Sequence, residues 1–332
     1  MALPATEPDT ARPRDTATSH ETPGPTSRED GPTPAFRVRG LTLGYGAEPV
    51  VRDLDLDIPA GRTTVLIGAN GCGKSTILRA LGRQLRPVSG TIEVAGRDLA
   101  RVKAREHARS VAFLPQSPLV PEGLTVAELV ARGRHPHRRW WGGGDDDEAV
   151  VADALAMTDT AGLAHRRVDE LSGGQRQRVW VALVLAQATD TLLLDEPCSF
   201  LDLAHQLDIL DLVHDLPMPG APGEAASGTS ADSGAAGDDS PGSGSAGDCS
   251  ADDQAPVRRT VVAVLHELSL AARVADHLVA VADGGVVAAG PPDEVITRET
   301  LRRVFDLDAD IIADPLTGHP VVLPRSRRKR TA

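Results

Sequence analysis

A chain of 332 residues with 41% hydrophobic and 25% charged side chains is long enough to bury a sizeable core and could hold two domains. Its formal net charge of -12 disfavours nonspecific binding to nucleic acid, and its three cysteines, Cys72, Cys198 and Cys249, are too scattered for a disulfide or zinc framework. No run approaches the roughly 18 apolar residues of a membrane span, so any membrane attachment has to go through another protein.

Residues 1–34 are rich in Pro, Thr, Asp and Glu and lack the apolar centre of a secretory signal, which predicts a disordered tail. Tyr45, the only tyrosine, stands between Gly44 and Gly46, a setting that favours an exposed loop over the core. From Val50 to Ile58 the apolar Leu54, Leu56 and Ile58 alternate with Asp53, Asp55 and Asp57, the period of a strand with one wet face. Thr63 to Ile67 is short, apolar and β-branched and reads as a buried strand. It runs into Gly68-Ala69-Asn70-Gly71-Cys72-Gly73-Lys74-Ser75-Thr76, a G-x-x-x-x-G-K-S loop with a helix predicted from Lys74. Such a loop packs backbone N–H groups around phosphate oxygens, which needs the left-handed turns and close approach that Gly71 and Gly73 allow. The helix N-terminus adds roughly half a positive charge facing the anion. Lys74 is expected to reach the β- and γ-phosphates of a nucleoside triphosphate, and Ser75 to ligate Mg²⁺.

From about Ser117 to Arg178 the pattern turns helical: Thr125-x-x-Glu128 is a capping box, and Asp145 to Glu148 put acids in a first turn. Ser172, in Leu171-Ser172-Gly173-Gly174-Gln175, is a good N-cap for a helix from about Gln175 to Gln187, whose start would offer donors to an anion. Thr191 to Leu194 carries no charge, as suits the middle of a parallel sheet, and ends on Asp195 and Glu196. Sites in such sheets lie at strand carboxyl ends, so Asp195 is expected to bind Mg²⁺ through water and Glu196 to orient and deprotonate the attacking water. The plainer reading, an acidic pair capping the next helix, accounts for one carboxylate rather than two. A helix is expected from Leu203 to Leu216. Residues 217–257 then form an insert of mostly Gly, Ser, Ala, Pro and Asp, with seven acidic residues and no Lys or Arg between Met218 and Pro256, a composition that predicts disorder. Loop-closure entropy tolerates it. Thr260 to Leu265 is another apolar strand, followed by His266; a lone histidine there is as a rule structural. Val279 to Ala289, broken at Asp283-Gly284, predicts a hairpin, and 325–332 is a basic tail read as solvated rather than bound to anionic lipid.

The phosphate loop, then Leu171 to Gln175, then Leu192-Leu193-Leu194-Asp195-Glu196-Pro197, in that order and spacing, resemble the ATPase subunits of ABC transporters over about Phe36 to Pro324. The resemblance implies an α/β fold, a P-loop NTPase core with an antiparallel β layer and an ABC-type helical subdomain at about 117–178, within one domain spanning 35–324. It implies that Gln116, in Phe113-Leu114-Pro115-Gln116, meets Mg²⁺ and water, that His266 contacts the γ-phosphate, and that Tyr45 lies against adenine. The implied catalytic set is Glu196, His266 and Gln116, and the implied Mg²⁺ set is Ser75, Gln116 and Asp195. The nucleotide set is Tyr45, Gly68, Asn70, Gly71, Cys72, Gly73, Lys74, Ser75 and Thr76, completed by Ser172, Gly173, Gly174 and Gln175 of a partner copy and linked across the interface by Asp202. Two ATP molecules would thus be sandwiched in a homodimer. Cys198 stands where the family commonly has Thr or Ser, a departure expected to matter little because the backbone turn dominates there.

Ala131 to His137, Ala164 to Glu170, Leu201 to Gln206 and Ile311 to Pro320 look like ferric-siderophore importers, which implies integral membrane permease subunits, an extracytoplasmic substrate-binding protein and a place on the cytoplasmic face of the membrane. Haem and cobalamin importers share the architecture. A soluble ABC-type ATPase acting on ribosomes or DNA usually has two tandem cassettes or a long coiled coil, whereas this sequence has one phosphate loop and no heptad run. His135 and His137 invite a metal reading, but an iron site in the motor serves no purpose when cargo crosses the permease. Trp140 and Trp141 fit either an interface or packing.

Overall fold

The computed structural model describes residues 33–46, 48–119, 122–138, 145–199, 201–218 and 258–325. The expected tail up to residue 32, Trp140, Trp141, the insert from 219 to 257 with Cys249, and the basic tail from 326 lie outside the described residues.

Two antiparallel strands come first, β1 (Phe36–Gly44) and β2 (Pro49–Ile58). In β2, Leu54, Leu56 and Ile58 are buried and Asp53, Asp55 and Asp57 are exposed, as their alternation requires. Next, β3 (Thr63–Gly68), buried at every residue, leads through the glycine loop into α1 (Lys74–Leu81). β4 (Ser89–Val94) and β5 (Arg97–Asp98) complete an antiparallel layer in the order β2-β1-β4-β5. α2 (Ala104–Ser110) leads to β6 (Val111–Leu114), and the chain then enters the helical region with α3 (Val126–Ala131), α4 (Asp145–Met157) and α5 (Gly173–Ala186). The return through β7 (Thr191–Asp195), α6 (Leu203–His214), β8 (Thr260–Val264), α7 (Leu268–Val274), β9 (His277–Ala282) and β10 (Gly285–Gly290) completes the main sheet. Its order is β10-β9-β3-β8-β7-β6, parallel except for β10. α8 (Pro292–Val295), α9 (Arg298–Phe305) and the hairpin β11 (Ala309–Ala313) with β12 (Pro320–Pro324) follow.

Because side chains alternate along a strand, the main sheet feeds two cores. Leu66, Leu193, Val262, Val264, Val279 and Val281 pack with Ile77, Leu78 and Leu81 of α1 and with the inner faces of β1 and β2. Val65, Ile67, Leu192, Leu194, Val261 and Ala263 face the other way, onto Val181, Val184 and Leu185 of α5 and the buried residues of α6 and α7. Coverage of both faces is why β3, β7 and β8 read as continuous apolar runs.

Local signals are realised in the geometry. Thr125 caps α3 in a complete capping box with Glu128, and Asp283 and Gly284, with φ of 51° and 76°, form the tight turn between β9 and β10. Gly284 accepts a bond from Arg52 N at 3.2 Å, so this turn is also pinned to β2. Two helix boundaries and one element differ from the sequence reading. α5 starts at Gly173 rather than Gln175, because its capping box, Ser172 with Gln175, sets the first turn two residues earlier. α6 stops at His214, short of Leu216, where Pro217 instead bridges Arg258. The β11–β12 hairpin has no counterpart in the sequence reading; Asp314 N–H to His319 O closes its loop at 2.8 Å.

Candidate functional site

β3 ends at Gly68, where a Cβ would lie 2.3 Å from the Val281 carbonyl oxygen, so only glycine allows the loop to leave the sheet here. Gly73 has φ 107° and a Cβ there would meet Val51 Cγ2 at 2.8 Å; it opens α1 without a side-chain cap. The first N–H groups of α1 therefore stay free of side-chain acceptors, the condition for receiving an anion. Lys74 is buried, and its Nζ arches over the loop to donate to Gly68 O at 2.8 Å and Ala69 O at 2.9 Å, with Cys72 Sγ at 3.8 Å. Asn70 and Gly71 are exposed at the crest, and Thr76 is buried beneath it.

Ser75, one residue on, donates from Oγ to Asp195 Oδ1 at 2.8 Å. Asp195 is completely buried at the end of β7, and its Oδ2 has no hydrogen-bond partner among the described residues. Burial pushes its carboxyl above the usual carboxylate range, against the Ser75 hydrogen bond and with help from neighbouring Glu196. A desolvated carboxylate oxygen with nothing to accept from, beside a phosphate loop, fits a hard divalent cation.

Glu196 follows in a left-handed conformation, φ 52°, its N–H held by Val264 O at 3.2 Å. Its Oε1 accepts from Gln116 Nε2 at 2.8 Å and lies 2.5 Å from His266 Nε2; its Oε2 accepts from Ser199 Oγ at 3.2 Å. The strand register explains this gathering. Leu114 of β6 pairs with Leu194 of β7, and Asp195 of β7 pairs with Val264 of β8, so Gln116, Glu196 and His266 all fall just past the same carboxyl edge. A cleft of about 180 Å³ opens beside them, lined by Glu196, Cys198, Ser199, Gln206, His266 and Glu267.

Other expected residues lie apart from this cluster within one chain. Tyr45 is 60% exposed, with its hydroxyl accepting from Arg79 Nη1 of α1 at 3.0 Å. Ser172 and Gly173 are exposed and Gly174 half-buried at the start of α5; Ser172 Oγ accepts from Gln175 N at 3.2 Å, and Gln175 Oε1 accepts in turn from Ser172 N at 3.2 Å. Asp202 caps α6 by accepting from His205 N at 3.0 Å, and its Oδ1 lies 2.6 Å from His205 Nδ1. His137 Nε2 bonds the Gln187 carbonyl at 2.8 Å, a structural use of the ring. Among the contacts that escaped the sequence reading are Ser199 on Glu196 and Arg79 on Tyr45. The first could be suspected because Ser199 follows Glu196 by three residues in a turn; the second joins segments 34 residues apart and has no local signal.

A profile of the ABC transporter family matches residues 51–199. The achromobactin transport ATP-binding protein CbrD of Dickeya dadantii (strain 3937) is 41% identical over 89% of this chain and 96% of that protein. The ferric enterobactin transport ATP-binding protein FepC of Escherichia coli (strain K12) is 40% identical over 88% of this chain and 95% of that protein. Among solved structures, an inward-facing ABC transporter of metal-chelate type superposes with a TM-score of 0.65 at 26% identity, covering 89% of this chain and 98% of that one. The phosphate loop, the buried strand-end carboxylate and these relatives agree: the chain belongs to the ABC transporter family, as one of its ATP-binding, ATP-hydrolysing subunits.

Proposed function

We propose that this protein energises uptake of a ferric siderophore across the cytoplasmic membrane, working as a homodimer beneath integral permease subunits that receive cargo from an extracytoplasmic substrate-binding protein. The observation that carries the ATPase chemistry is the meeting of Gln116, His266 and Ser199 on Glu196, next to Asp195 and the Lys74–Ser75 loop. The cargo reading is supported by the siderophore-like segments Ala131 to His137, Ala164 to Glu170, Leu201 to Gln206 and Ile311 to Pro320, and by relatives named for achromobactin and ferric enterobactin. Among the described residues no helix is long and apolar enough to cross a membrane, which supports attachment through the permease.

In this reading Lys74 exchanges the carbonyls of Gly68 and Ala69 for phosphate oxygens of ATP, and the uncapped start of α1 supplies backbone donors. Ser75, Gln116 and Asp195 would hold Mg²⁺, which when bound neutralises phosphate charge. Gln116 and His266 fix Glu196 through Oε1, leaving Oε2, with its single hydroxyl contact, as the oxygen that takes a proton from the attacking water. Tyr45 offers an exposed ring to adenine, oriented by Arg79. The exposed start of α5 closes on the γ-phosphate of ATP held by a partner copy, with Asp202 at the interface.

Deleting the gene and measuring growth under iron limitation with individual ferric siderophores tests the cargo. Loss of growth on at least one complex is expected. Unimpaired use of every complex, with loss of haem or cobalamin uptake instead, overturns the siderophore assignment and leaves the ATPase reading intact.

A further inference from the structure

α5 follows its exposed cap, Ser172, and runs into the core, where Val179, Val181, Ala182 and Val184 are fully or almost fully buried. Its N-terminal turn is held on itself: Arg176 Nη2 donates to Leu171 O at 2.9 Å, and Ser172 and Gln175 cap each other. Gln177 lies in the second turn, 5% exposed, and its Nε2 donates to the Pro197 carbonyl at 2.6 Å. Pro197 follows Glu196 directly. The turn it belongs to is tight, with Ser199 N–H returning to Glu196 O at 3.2 Å and Glu196 itself at positive φ. Pro197 is buried, so this carbonyl has little access to water and leaving it unpaired is costly. Gln177 thus ties the helix that presents Ser172 to the turn that presents Glu196.

We propose that Gln177 is a positioning residue that couples the two nucleotide sites of the dimer. The inference rests on the head-to-tail dimer proposed above, in which Ser172 meets the ATP of the partner while Glu196 acts on the ATP of its own chain. When the partner's nucleotide seats α5, the core-locked helix moves as one body, and the Gln177–Pro197 bond carries that displacement to the backbone beside Glu196. The base of one site then responds to occupancy of the other through two residues that touch neither phosphate. Coupling of this kind is a free energy shared between sites and shows as cooperativity in ATP concentration.

The test is steady-state ATP hydrolysis by the full-length protein across ATP concentrations, with equilibrium binding of a fluorescent ATP analogue and thermal melting. Q177M keeps the length of the side chain and removes the donor. The expected result is a folded protein that binds the analogue within about twofold of native and loses about tenfold in kcat, with its Hill coefficient falling to about 1 from a native value between 1 and 2, the number of sites. Q177E, of equal size with an acceptor facing the carbonyl, serves if Q177M does not fold, and failure of both to fold assigns Gln177 to the fold alone and overturns the proposal. A native Hill coefficient retained by a folded variant, or a native value of 1, overturns it as well. The two readings fail separately: E196Q that stays monomeric with ATP removes the dimer, whereas E196Q that dimerises, beside a Q177M protein that keeps native cooperativity, removes only the coupling.

Discussion

Replacing Glu196 by Gln removes one ionisable oxygen and little else. An amide oxygen at the Oε1 position still accepts from Gln116, 2.8 Å away, and still faces His266, while the new amide nitrogen faces the Ser199 hydroxyl, which can accept from it. The structural cost is therefore within about 1 kcal/mol, the net worth of an ordinary hydrogen bond, or roughly 2–4 °C in melting temperature for a domain of this size. The chemical cost is of another order. Loss of a general base lowers turnover about 10²–10⁴-fold, which at 1.36 kcal/mol per factor of ten is about 2.7–5.4 kcal/mol of barrier. Single-turnover ATP hydrolysis, equilibrium ATP binding and thermal melting on one preparation separate the two. Binding and melting near native with hydrolysis down at least about a hundredfold is the expected outcome. Hydrolysis within about tenfold of native refutes Glu196 as the base, and a melting loss well beyond the range above would show that the cluster serves the fold rather than the chemistry.

Asp195→Asn should abolish hydrolysis and yet raise the melting temperature of the nucleotide-free protein, because desolvation holds the buried carboxyl above its ordinary 3.8 while the Ser75 bond survives in the amide. The sign with pH follows: the native fold binds this proton more tightly than the unfolded chain, so its stability falls as pH rises from 3.8, and the advantage of the variant should open above that value and vanish below it in parallel melts. Burial pushes the Cys198 thiol up to about 12, so iodoacetamide at pH 8 should spare it until the protein unfolds. Half-buried Cys72 should be alkylated and protected by ATP, and peptide mapping that finds Cys198 labelled first would contradict the packing. Ser172→Ala should cost about 1 kcal/mol through loss of the α5 cap, measured by chemical denaturation, and should weaken ATP-driven dimerisation of the Glu196→Gln protein. An unchanged dimer would release Ser172 from any role at the partner's nucleotide.

Much of this molecule is legible because its signals are local. Alternating Leu and Asp along β2, the uncharged Leu-Leu-Leu of β7, the Thr125–Glu128 box, the Ser172 cap and the Asp283-Gly284 turn each depend on residues no more than four apart, and each is realised. The β11–β12 hairpin is not legible in this way: its strands Ala-Asp-Ile-Ile-Ala and Pro-Val-Val-Leu-Pro are short, only partly buried and joined by a loop whose closure depends on Asp314 meeting His319.

The chemistry on offer can be read along the chain: a phosphate loop, a strand-end carboxylate pair, a donor-rich helix start, and the order in which they occur. Which of them meet follows from how the strands and helices pack. Gln116 and Glu196 lie 80 residues apart, and their bond exists because β6, β7 and β8 are neighbours in one register, something no local periodicity encodes. The same holds for Gln177 reaching Pro197 and for Arg79 reaching Tyr45. Side-chain period is set by the backbone of each strand, whereas strand order is set by how whole apolar faces are covered, so the parts can be read along the chain and their assembly cannot.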